Sequence, residues 1–276
     1  MERIKDALAK AKSKPDRLVD PQPAFVDKPH SEVVIGRKAA RVPYTQVRTV
    51  SLDRLHLESK RIVTLDKSDP RCSYFDILRT RIVQGMVEND WHTLAITSPD
   101  SECGKTVTAI NLALSMAQQP GRTVILIDFD LRRPNVGRTL GLSMDKSLAD
   151  YFHGLADIEE VIVNPELAGF FVLPNHTALQ NASEILTSQT TSNLIEDLRA
   201  RYPDAIIIFD LPPVLAFDDV LAFLPKVDSV MMVAAAHKTR IPDIEECERR
   251  FASCNYFGLV LNKVDETFQK QDAYHY

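Results

Sequence analysis

The chain has 276 residues, of which 45% are hydrophobic and 26% are charged. This composition allows a substantial buried core and predicts one domain plus a tail, although two small domains would also fit the length. The formal net charge is −5 and the pI is near 5.8. Neither value gives an electrostatic reason to expect a nucleic acid or an anionic membrane surface as a partner.

The apolar runs of the chain are short. The longest, such as AIIIF and VMMVAAA, have the length of strands, whereas a membrane-spanning helix needs about 18 or more apolar residues. No apolar signal region opens the sequence, and the four cysteines lack C-x-x-C spacing, which is typical of reduced thiols. We therefore expect a soluble, cytoplasmic protein with no direct membrane span.

The first 50 residues differ in character from the rest. The opening segment MERIKDALAKAKS has apolar residues at helical spacing, which predicts a short amphipathic helix. It serves either to dock a partner or as a solubilising tail. Five prolines follow within residues 14–50 and indicate a linker. We predict a helix and linker over 1–50, a domain over 51–265 and a tail over 266–276.

From Thr93 onward, compact apolar runs alternate with longer helical patterns. Six runs are predicted strands: TLAIT, TVILIDFD, GFFVLP, AIIIFD, SVMMVAAA and YFGLVLN. Helices are predicted at 105–118, 146–153, 183–201, 217–223 and 243–252. Runs that are apolar on both faces, with helices between them, predict an α/β fold: a mostly parallel central sheet with helices on both faces.

Residues 97–108, TSPDSECGKTVT, resemble a phosphate-binding loop that ends in Gly104-Lys105-Thr106. Pro99 stands where the G-x-x-x-x-G-K-[ST] pattern has its first glycine. The context nevertheless fits, because a predicted strand precedes the loop and a predicted helix follows it. Lys105 would then reach the outer phosphates and Thr106 would ligate Mg²⁺. An isolated GKT also fits an ordinary helix start with a solvated lysine.

Three carboxylates follow predicted strands. Asp128 and Asp130 end the strand TVILIDFD, and Asp210 ends AIIIFD. In open α/β sheets, ligands bind at the carboxyl ends of the strands, where such carboxylates hold Mg²⁺ directly or through water. A single aspartate there also fits a turn or a helix cap. All three together with GKT predict a nucleoside triphosphate and Mg²⁺ site.

The segment Asn262-Lys263-Val264-Asp265 leaves the nucleotide open. It matches the N-K-x-D pattern with which GTPases read guanine. Four residues match easily by chance, however, and an asparagine at this strand end in related ATPases faces adenine. We favour ATP and retain a GTPase as an alternative.

Taken together and in order, TSPDSECGKT, IDFDLRRP, FDLPPVL and VLNKVD resemble the motifs of the bacterial tyrosine autokinases of the capsule and exopolysaccharide type. The resemblance covers roughly residues 50–265, and IDFDLRRP is its most specific part. It implies a P-loop NTPase fold of the deviant Walker A type. It also implies that ATP and Mg²⁺ are the cofactors and that the reaction transfers the γ-phosphoryl group of ATP to tyrosine.

The resemblance assigns roles to individual positions. The expected catalytic residues are Lys105, Asp128 and Asp130, with either aspartate as the proton acceptor. The expected metal ligands are Thr106, Asp128 and Asp210. The expected nucleotide-binding residues are Ser101, Glu102, Cys103, Gly104, Lys105, Thr106, Val107 and Asn262. Arg132 and Arg133 pair either with phosphate or a neighbouring subunit, or within the fold.

Partners and acceptors also follow from the resemblance. The expected phosphoacceptors are Tyr274 and Tyr276 in DAYHY. The expected partner is a membrane-spanning polysaccharide chain-length determinant, or co-polymerase, which would recruit the protein to the inner face of the cell membrane. A homo-oligomer is also expected of this family. The alternative is an ATP-binding scaffold of the export machinery with weak kinase activity.

The sequence departs from the family pattern at two places. The loop has Ser101 and Glu102 where the family has proline and glycine, and a carboxylate there would repel phosphate unless it points away. The family's E-x-x-R-x-x-R helix appears here as Ser73, Asp76 and Arg79. This second departure argues against an octameric ring built on those ion pairs.

Overall fold

The structure is a computed structural model that describes residues 47–265. The predicted N-terminal helix, most of the linker and the tail that carries Tyr274 and Tyr276 lie outside the described residues. The domain limits at 50 and 265 therefore stay predictions. The described residues belong to one compact unit.

Eight strands form a single sheet, in the spatial order β1-β4-β5-β3-β6-β2-β7-β8. Every neighbouring pair is parallel except β4 and β5. The strands are β1 (Arg48–Thr49), β2 (Thr93–Thr97), β3 (Val124–Asp128), β4 (Val163–Asn164), β5 (Phe170–Leu173), β6 (Ile206–Asp210), β7 (Ser229–Ala235) and β8 (Tyr256–Asn262). All six predicted strands are confirmed, as is the mostly parallel α/β fold. Strands β1 and β4 were not predicted, because two residues show no periodicity.

Ten α-helices connect the strands in the described part of the chain. They are α1 (Arg54–Ser59), α2 (Cys72–Asn89), α3 (Lys105–Ala117), α4 (Val136–Leu140), α5 (Leu148–Phe152), α6 (Ile158–Val161), α7 (Ala182–Thr187), α8 (Gln189–Arg201), α9 (Asp219–Phe223) and α10 (Ile241–Arg250). A 3₁₀ turn, Leu224–Lys226, follows α9. Within residues 47–265, no helix combines the length and the apolar character needed to cross a membrane.

The single helix predicted over 183–201 is wrong, because the structure breaks it into α7 and α8 at Ser188. The backbone of Ser188 is extended, with φ −66° and ψ 161°. Its hydroxyl accepts a hydrogen bond from the Thr191 amide and also donates one to the Ile185 carbonyl oxygen. Serine at a helix start satisfies an amide that would otherwise lack a partner, so the same side chain ends one helix and begins the next.

The core lies on both faces of the sheet. Alternate residues of β3 divide between two apolar clusters: Val124 and Leu126 belong to one, and Ile125 and Ile127 to the other. Side chains along a strand point alternately to opposite faces, so the continuous apolar run reflects burial on both sides. This core fixes the carboxyl ends of β2, β3 and β6 side by side.

Candidate nucleotide-binding and phosphoryl-transfer site

The phosphate loop joins β2 to α3 at the middle of the sheet. Gly104, the residue before α3, has φ 92°, and no side chain caps this helix end within the described residues. The amides of Lys105, Thr106 and Val107 therefore begin a helix without intrahelical acceptors. Amides at a helix N-terminus, together with the helix dipole, favour binding of an anion such as phosphate.

Gly104 is required here for space as well as for its backbone conformation. A Cβ atom built on Gly104 would lie 2.1 Å from Asn262 Nδ2. That nitrogen donates a 3.0 Å hydrogen bond to the Cys103 carbonyl oxygen. The predicted nucleotide-binding residue Asn262 thus contacts the backbone of the phosphate loop. This contact ties the end of β8 to the loop.

The turn after β7 holds the loop from a second side. Lys238 Nζ donates a 2.8 Å hydrogen bond to the Ser101 carbonyl oxygen and lies 3.1 Å from Glu102 Oε2. The next residue, Thr239, places its hydroxyl 3.6 Å from the buried Cys103 thiol. Sequence analysis missed both Lys238 and Thr239. Their position just after a strand that neighbours β2 is the signal that would have found them.

The Lys105 ammonium lies between the carboxylates of Asp130 and Asp210. Its ammonium donates a 2.8 Å hydrogen bond to Asp130 Oδ2 and lies 3.5 Å from Asp210 Oδ1. Burial alone would lower the pKa of Lys105, but the Asp210 and Asp130 carboxylates raise it above its ordinary value. The side chain therefore stays protonated in an almost fully buried position, as a phosphate-binding lysine must.

Asp128 and Asp210 are direct register partners on the neighbouring strands β3 and β6. Burial raises the pKa of Asp128 well above its ordinary value, and the Asp210 carboxylate raises it further, against the Val136 amide and the Lys105 charge. Burial also raises the pKa of Asp210. Two buried carboxylates of like charge favour the neutral form of one of them unless a cation lies between them.

The donor set fits a nucleotide with Mg²⁺. One oxygen of each carboxylate, Asp128 Oδ1 and Asp210 Oδ1, is buried without a hydrogen-bond partner, and Thr106 Oγ1 donates a 2.6 Å hydrogen bond to Asp210 Oδ2. Residues 47–265 contain no group of three or more His, Cys, Asp or Glu side chains placed to hold a metal ion. Mg²⁺ needs no such cage, since it is commonly held by one or two carboxylates plus phosphates and water.

The fold thus brings most of the predicted site residues together. Lys105, Thr106, Asp128, Asp130 and Asp210 converge at the carboxyl ends of β3 and β6 and the start of α3. Arg132 pairs within the fold, because its guanidinium binds both carboxylate oxygens of Asp219, at 2.7 and 3.2 Å. Tyr274 and Tyr276 lie outside the described residues and stay predictions.

Asp76 and Arg79, which stand at positions of the family's ion-pair motif, form contacts within this chain. Arg79 Nη1 donates a 2.7 Å hydrogen bond to Asp76 Oδ1, which also accepts one of 2.7 Å from the Ser115 hydroxyl. These residues of α2 are therefore paired with each other and with α3. The expectation that argues against an octameric ring built on those ion pairs stays a prediction.

Comparison with known proteins defines the class of this chain. Residues 92–242 match the family described as AAA domain, and this match covers more than half of the chain. The chain belongs to that family, and its P-loop NTPase fold and deviant phosphate loop agree with the match.

The relatives narrow the class to the bacterial tyrosine autokinases that the motifs resemble. The tyrosine-protein kinase ptk of Acinetobacter johnsonii is 30% identical over 192 residues, which are 69% of this chain and 26% of ptk. The tyrosine-protein kinase CpsD of Streptococcus pneumoniae is 28% identical over 220 residues, or 78% of this chain and 93% of CpsD. The chain thus spans about a quarter of ptk and nearly all of CpsD.

A solved structure gives the same result. The kinase domain of the Escherichia coli tyrosine kinase ETK has a TM-score of 0.69 and 25% sequence identity to this chain. The similarity covers 79% of this chain and 90% of the ETK domain. The predicted family resemblance and the fold are therefore confirmed.

Proposed function

We propose that this chain is an ATP-dependent protein tyrosine autokinase that regulates the polymerisation and export of capsule or exopolysaccharide. The observation that carries the proposal is the convergence of Lys105, Thr106 and three aspartates around the start of α3. The relatives named tyrosine-protein kinase support the reaction class. The names CpsD and "tyrosine-protein kinase in cps region" support the link to polysaccharide synthesis.

Phosphoryl transfer asks mainly for positioning and charge neutralisation. The Lys105 ammonium and the amides of the phosphate loop bind and orient the triphosphate. The Thr106 hydroxyl, Asp128 and Asp210 would hold Mg²⁺, which would supply positive charge to neutralise the phosphoryl oxygens. In the reaction, the bond from the γ-phosphorus to the leaving ADP oxygen breaks and a bond to the tyrosine phenolic oxygen forms.

The phenolic proton needs an acceptor near the reacting oxygen. Asp130 lines the open cavity beside the phosphate loop, whereas Asp128 is fully buried and does not line it. Asp128 Oδ2 is also engaged by the amides of Asn135 and Val136. We therefore assign proton acceptance to Asp130 and metal organisation to Asp128.

The phosphoacceptors, the partner and the location belong to the same proposal. Tyr274 and Tyr276 are the proposed acceptors. A membrane-spanning co-polymerase is the proposed partner, which would recruit the chain to the inner face of the cell membrane. A homo-oligomer would bring the tail of one copy to the site of another, without the ion pairs of the family's ring helix.

The test is phosphorylation of the purified full chain. Wild type and Lys105→Met are incubated with γ-labelled ATP and Mg²⁺, and modified residues are identified by mass spectrometry. We expect phosphotyrosine in the wild type only, at Tyr274 or Tyr276. Circular dichroism of both proteins controls for folding, because Lys105→Met leaves two buried carboxylates without their cation.

Two alternatives from the sequence are not favoured by the relatives. A wild type that binds ATP but carries no phosphotyrosine would indicate the scaffold. Stronger competition by GTP than by ATP for a fluorescent nucleotide analogue would indicate the GTPase. In the structure, Asp265 of the NKVD segment pairs with His237 at 3.3 Å, and the Asn262 amide is engaged by the phosphate loop.

A further inference from the structure

A cavity of about 680 Å³ opens beside the phosphate loop. Its size falls in the range of sites for small ligands and is larger than a phosphate group requires. Lys105 and Asp130 lie on its wall, together with Ser101 and Glu102 of the loop. The rest of the wall comes from the segment after β3 and from residues near 176 and 213–217. The cavity therefore extends beyond the groups that bind a triphosphate.

The charges on this wall are not balanced. Three carboxylates, Asp100, Glu102 and Asp130, line the cavity beside four permanent cations, Lys105, Arg132, Arg133 and Arg138. Lys105 pairs with Asp130 and Arg132 pairs with Asp219, while Glu102 pairs with Lys238. The Asp100 carboxylate accepts hydrogen bonds from the Ser101 amide and hydroxyl, so one carboxylate and two arginines of the wall are left outside these ion pairs.

Two arginines remain without a counter-ion. Within residues 47–265, the guanidinium groups of Arg133 and Arg138 have no hydrogen-bond or ion-pair partner, and both side chains are exposed. An arginine fork matches a carboxylate or a phosphate with two parallel hydrogen bonds. The wall of the cavity is thus prepared for an additional anionic group.

Asp130 contacts both the phosphate-loop lysine and the segment that carries Arg133. Its Oδ2 atom accepts the hydrogen bond from Lys105, whereas its Oδ1 atom accepts a 3.0 Å hydrogen bond from the Arg133 amide. The triphosphate belongs on the Lys105 side, where the loop amides lie. The Arg133 backbone lies beside the other carboxylate oxygen of the proposed proton acceptor, and its side chain lines the cavity through which the tyrosine would enter.

Part of the cavity wall is aromatic, because Phe217 lines it. The Arg132 guanidinium lies 4.4 Å from the centroid of the Phe217 ring. Arg132 is held in turn by Asp219, which also accepts a hydrogen bond from the Ser183 hydroxyl. A guanidinium is attracted to the face of an aromatic ring, so this contact favours the observed position of the Phe217 ring. Phe217 then offers an apolar surface against which a second aromatic ring can pack.

We propose that this cavity receives the acceptor tyrosine with its ring against Phe217, and that Arg133 and Arg138 bind an acidic side chain adjacent to it. The enzyme would therefore select tyrosines with acidic neighbours. The inference rests on the proposed function. The chain's own tail offers such a site, because Asp272 precedes Tyr274 by two residues.

The first test uses the wild-type full chain with ATP and Mg²⁺. Its substrates are three peptides of the sequence 269–276: the natural one and its Asp272→Asn and Asp272→Lys forms. We expect kcat/KM to be about tenfold higher for the natural peptide than for the Asn form, mainly through a lower KM, with the Lys form poorest. Equal rates for all three peptides would overturn this inference and leave the kinase assignment intact. Failure to phosphorylate any peptide or its own chain would remove both.

The second test reverses the charges. In the variant Arg133→Glu/Arg138→Glu, we expect the order of the peptides to invert, so that the Lys form becomes the best substrate. The matched control, Arg54→Glu/Arg81→Glu, changes the same charge at exposed residues that do not line the cavity and should keep the wild-type order. The affinity of the cavity variant for a fluorescent ATP analogue shows whether Arg133 and Arg138 bind the acidic side chain of the peptide or the triphosphate. A loss of tenfold or more in the cavity variant would assign the arginines to the triphosphate and overturn the inference.

Discussion

The ammonium group of Lys238 lies 3.1 Å from the carboxylate of Glu102 and also donates a hydrogen bond to the carbonyl oxygen of the preceding residue, Ser101. Glu102 occupies the position at which the related kinases have glycine, and its side chain is 81% exposed. The carboxylate that would repel phosphate is therefore largely exposed to solvent and paired with a cation. The departure from the family pattern is accommodated by a residue 136 positions away.

The Lys238 contact predicts a modest effect on nucleotide binding. We expect Lys238→Met to weaken binding of a fluorescent ATP analogue by about two- to fivefold, because exposed ion pairs contribute at most about 1 kcal/mol and a hydrogen bond about as much. In a double-mutant cycle with Glu102→Gln, the coupling should shrink in high salt. A coupling that is zero at low salt would show that the two side chains act independently.

The backbone at Glu102 predicts a gain in stability on substitution. Its φ is 60°, a left-handed conformation that costs a residue with a Cβ about 1 kcal/mol or more. We expect Glu102→Gly to raise the free energy of unfolding by about 0.5–1 kcal/mol, measured by denaturant titration. Glu102→Ala removes the carboxylate but keeps the Cβ atom, so it should give no such gain. An equal gain for Ala would assign the effect to charge instead.

The buried Asp128 predicts a conflict between stability and activity. A carboxyl group with a raised pKa in the folded state contributes stability at low pH that is lost as the pH rises through this pKa. Asp128→Asn does not titrate, so its melting temperature should exceed that of the wild type by a margin that grows as the pH rises above the unfolded-state pKa of about 3.9. Phosphotyrosine formation should be lost.

The control for this prediction is Asp145→Asn, since the Asp145 side chain is 94% exposed. Its melting temperature should differ from that of the wild type by only a small amount, because its side chain makes little contact with the rest of the fold. An Asp128→Asn variant that is less stable than the wild type at pH 8 would contradict the argument. It would mean that the ionised carboxylate is the favoured state.

Asp228 predicts the opposite pH dependence. Burial raises its pKa, but hydrogen bonds from the His92 amide and from Thr93, together with the Arg199 charge, bring it below its ordinary value. Such a group contributes stability above the unfolded-state pKa of about 3.9, and this is lost as the pH falls through the folded-state pKa. We expect Asp228→Asn to cost about 1–2 kcal/mol at pH 7 and less below pH 4.

Chemical denaturation at several pH values measures the Asp228 effect. The matched variant Arg199→Met removes the ion pair, at 3.0 Å between partly exposed groups, and a 3.3 Å hydrogen bond to the Thr93 hydroxyl. It keeps the hydrogen bonds from the His92 amide and Thr93 to Asp228 and should cost less. The prediction fails if the cost of Asp228→Asn stays constant between pH 3 and pH 7. In that case the carboxylate charge would not be what holds the start of β2.

The sequence predicted the parts of the site that depend on a single strand or turn. Asp128, Asp130 and Asp210 follow continuous apolar runs, and the parallel sheet that these runs imply places strand ends together. Contacts between distant segments were not predictable, because no local pattern marks them. Arg132 pairs with Asp219 across 87 positions, and Lys238 reaches Glu102. The break at Ser188 was missed because Leu186 and Leu194 are eight positions apart, which keeps them near one helical face although residues 187–193 are all polar.

The order of the central strands links ligand binding to the folding of the whole domain. Strand β6 lies between β3 and β2. Asp128 and Asp210 therefore meet the phosphate loop only after these three strands, which are spread over more than a hundred residues, have paired. The unfolded chain therefore has no nucleotide-binding site. By mass action, a nucleotide at a hundred times its dissociation constant would raise the free energy of unfolding by about 2.7 kcal/mol. The energy supply of the cell would then help to determine how long the protein persists.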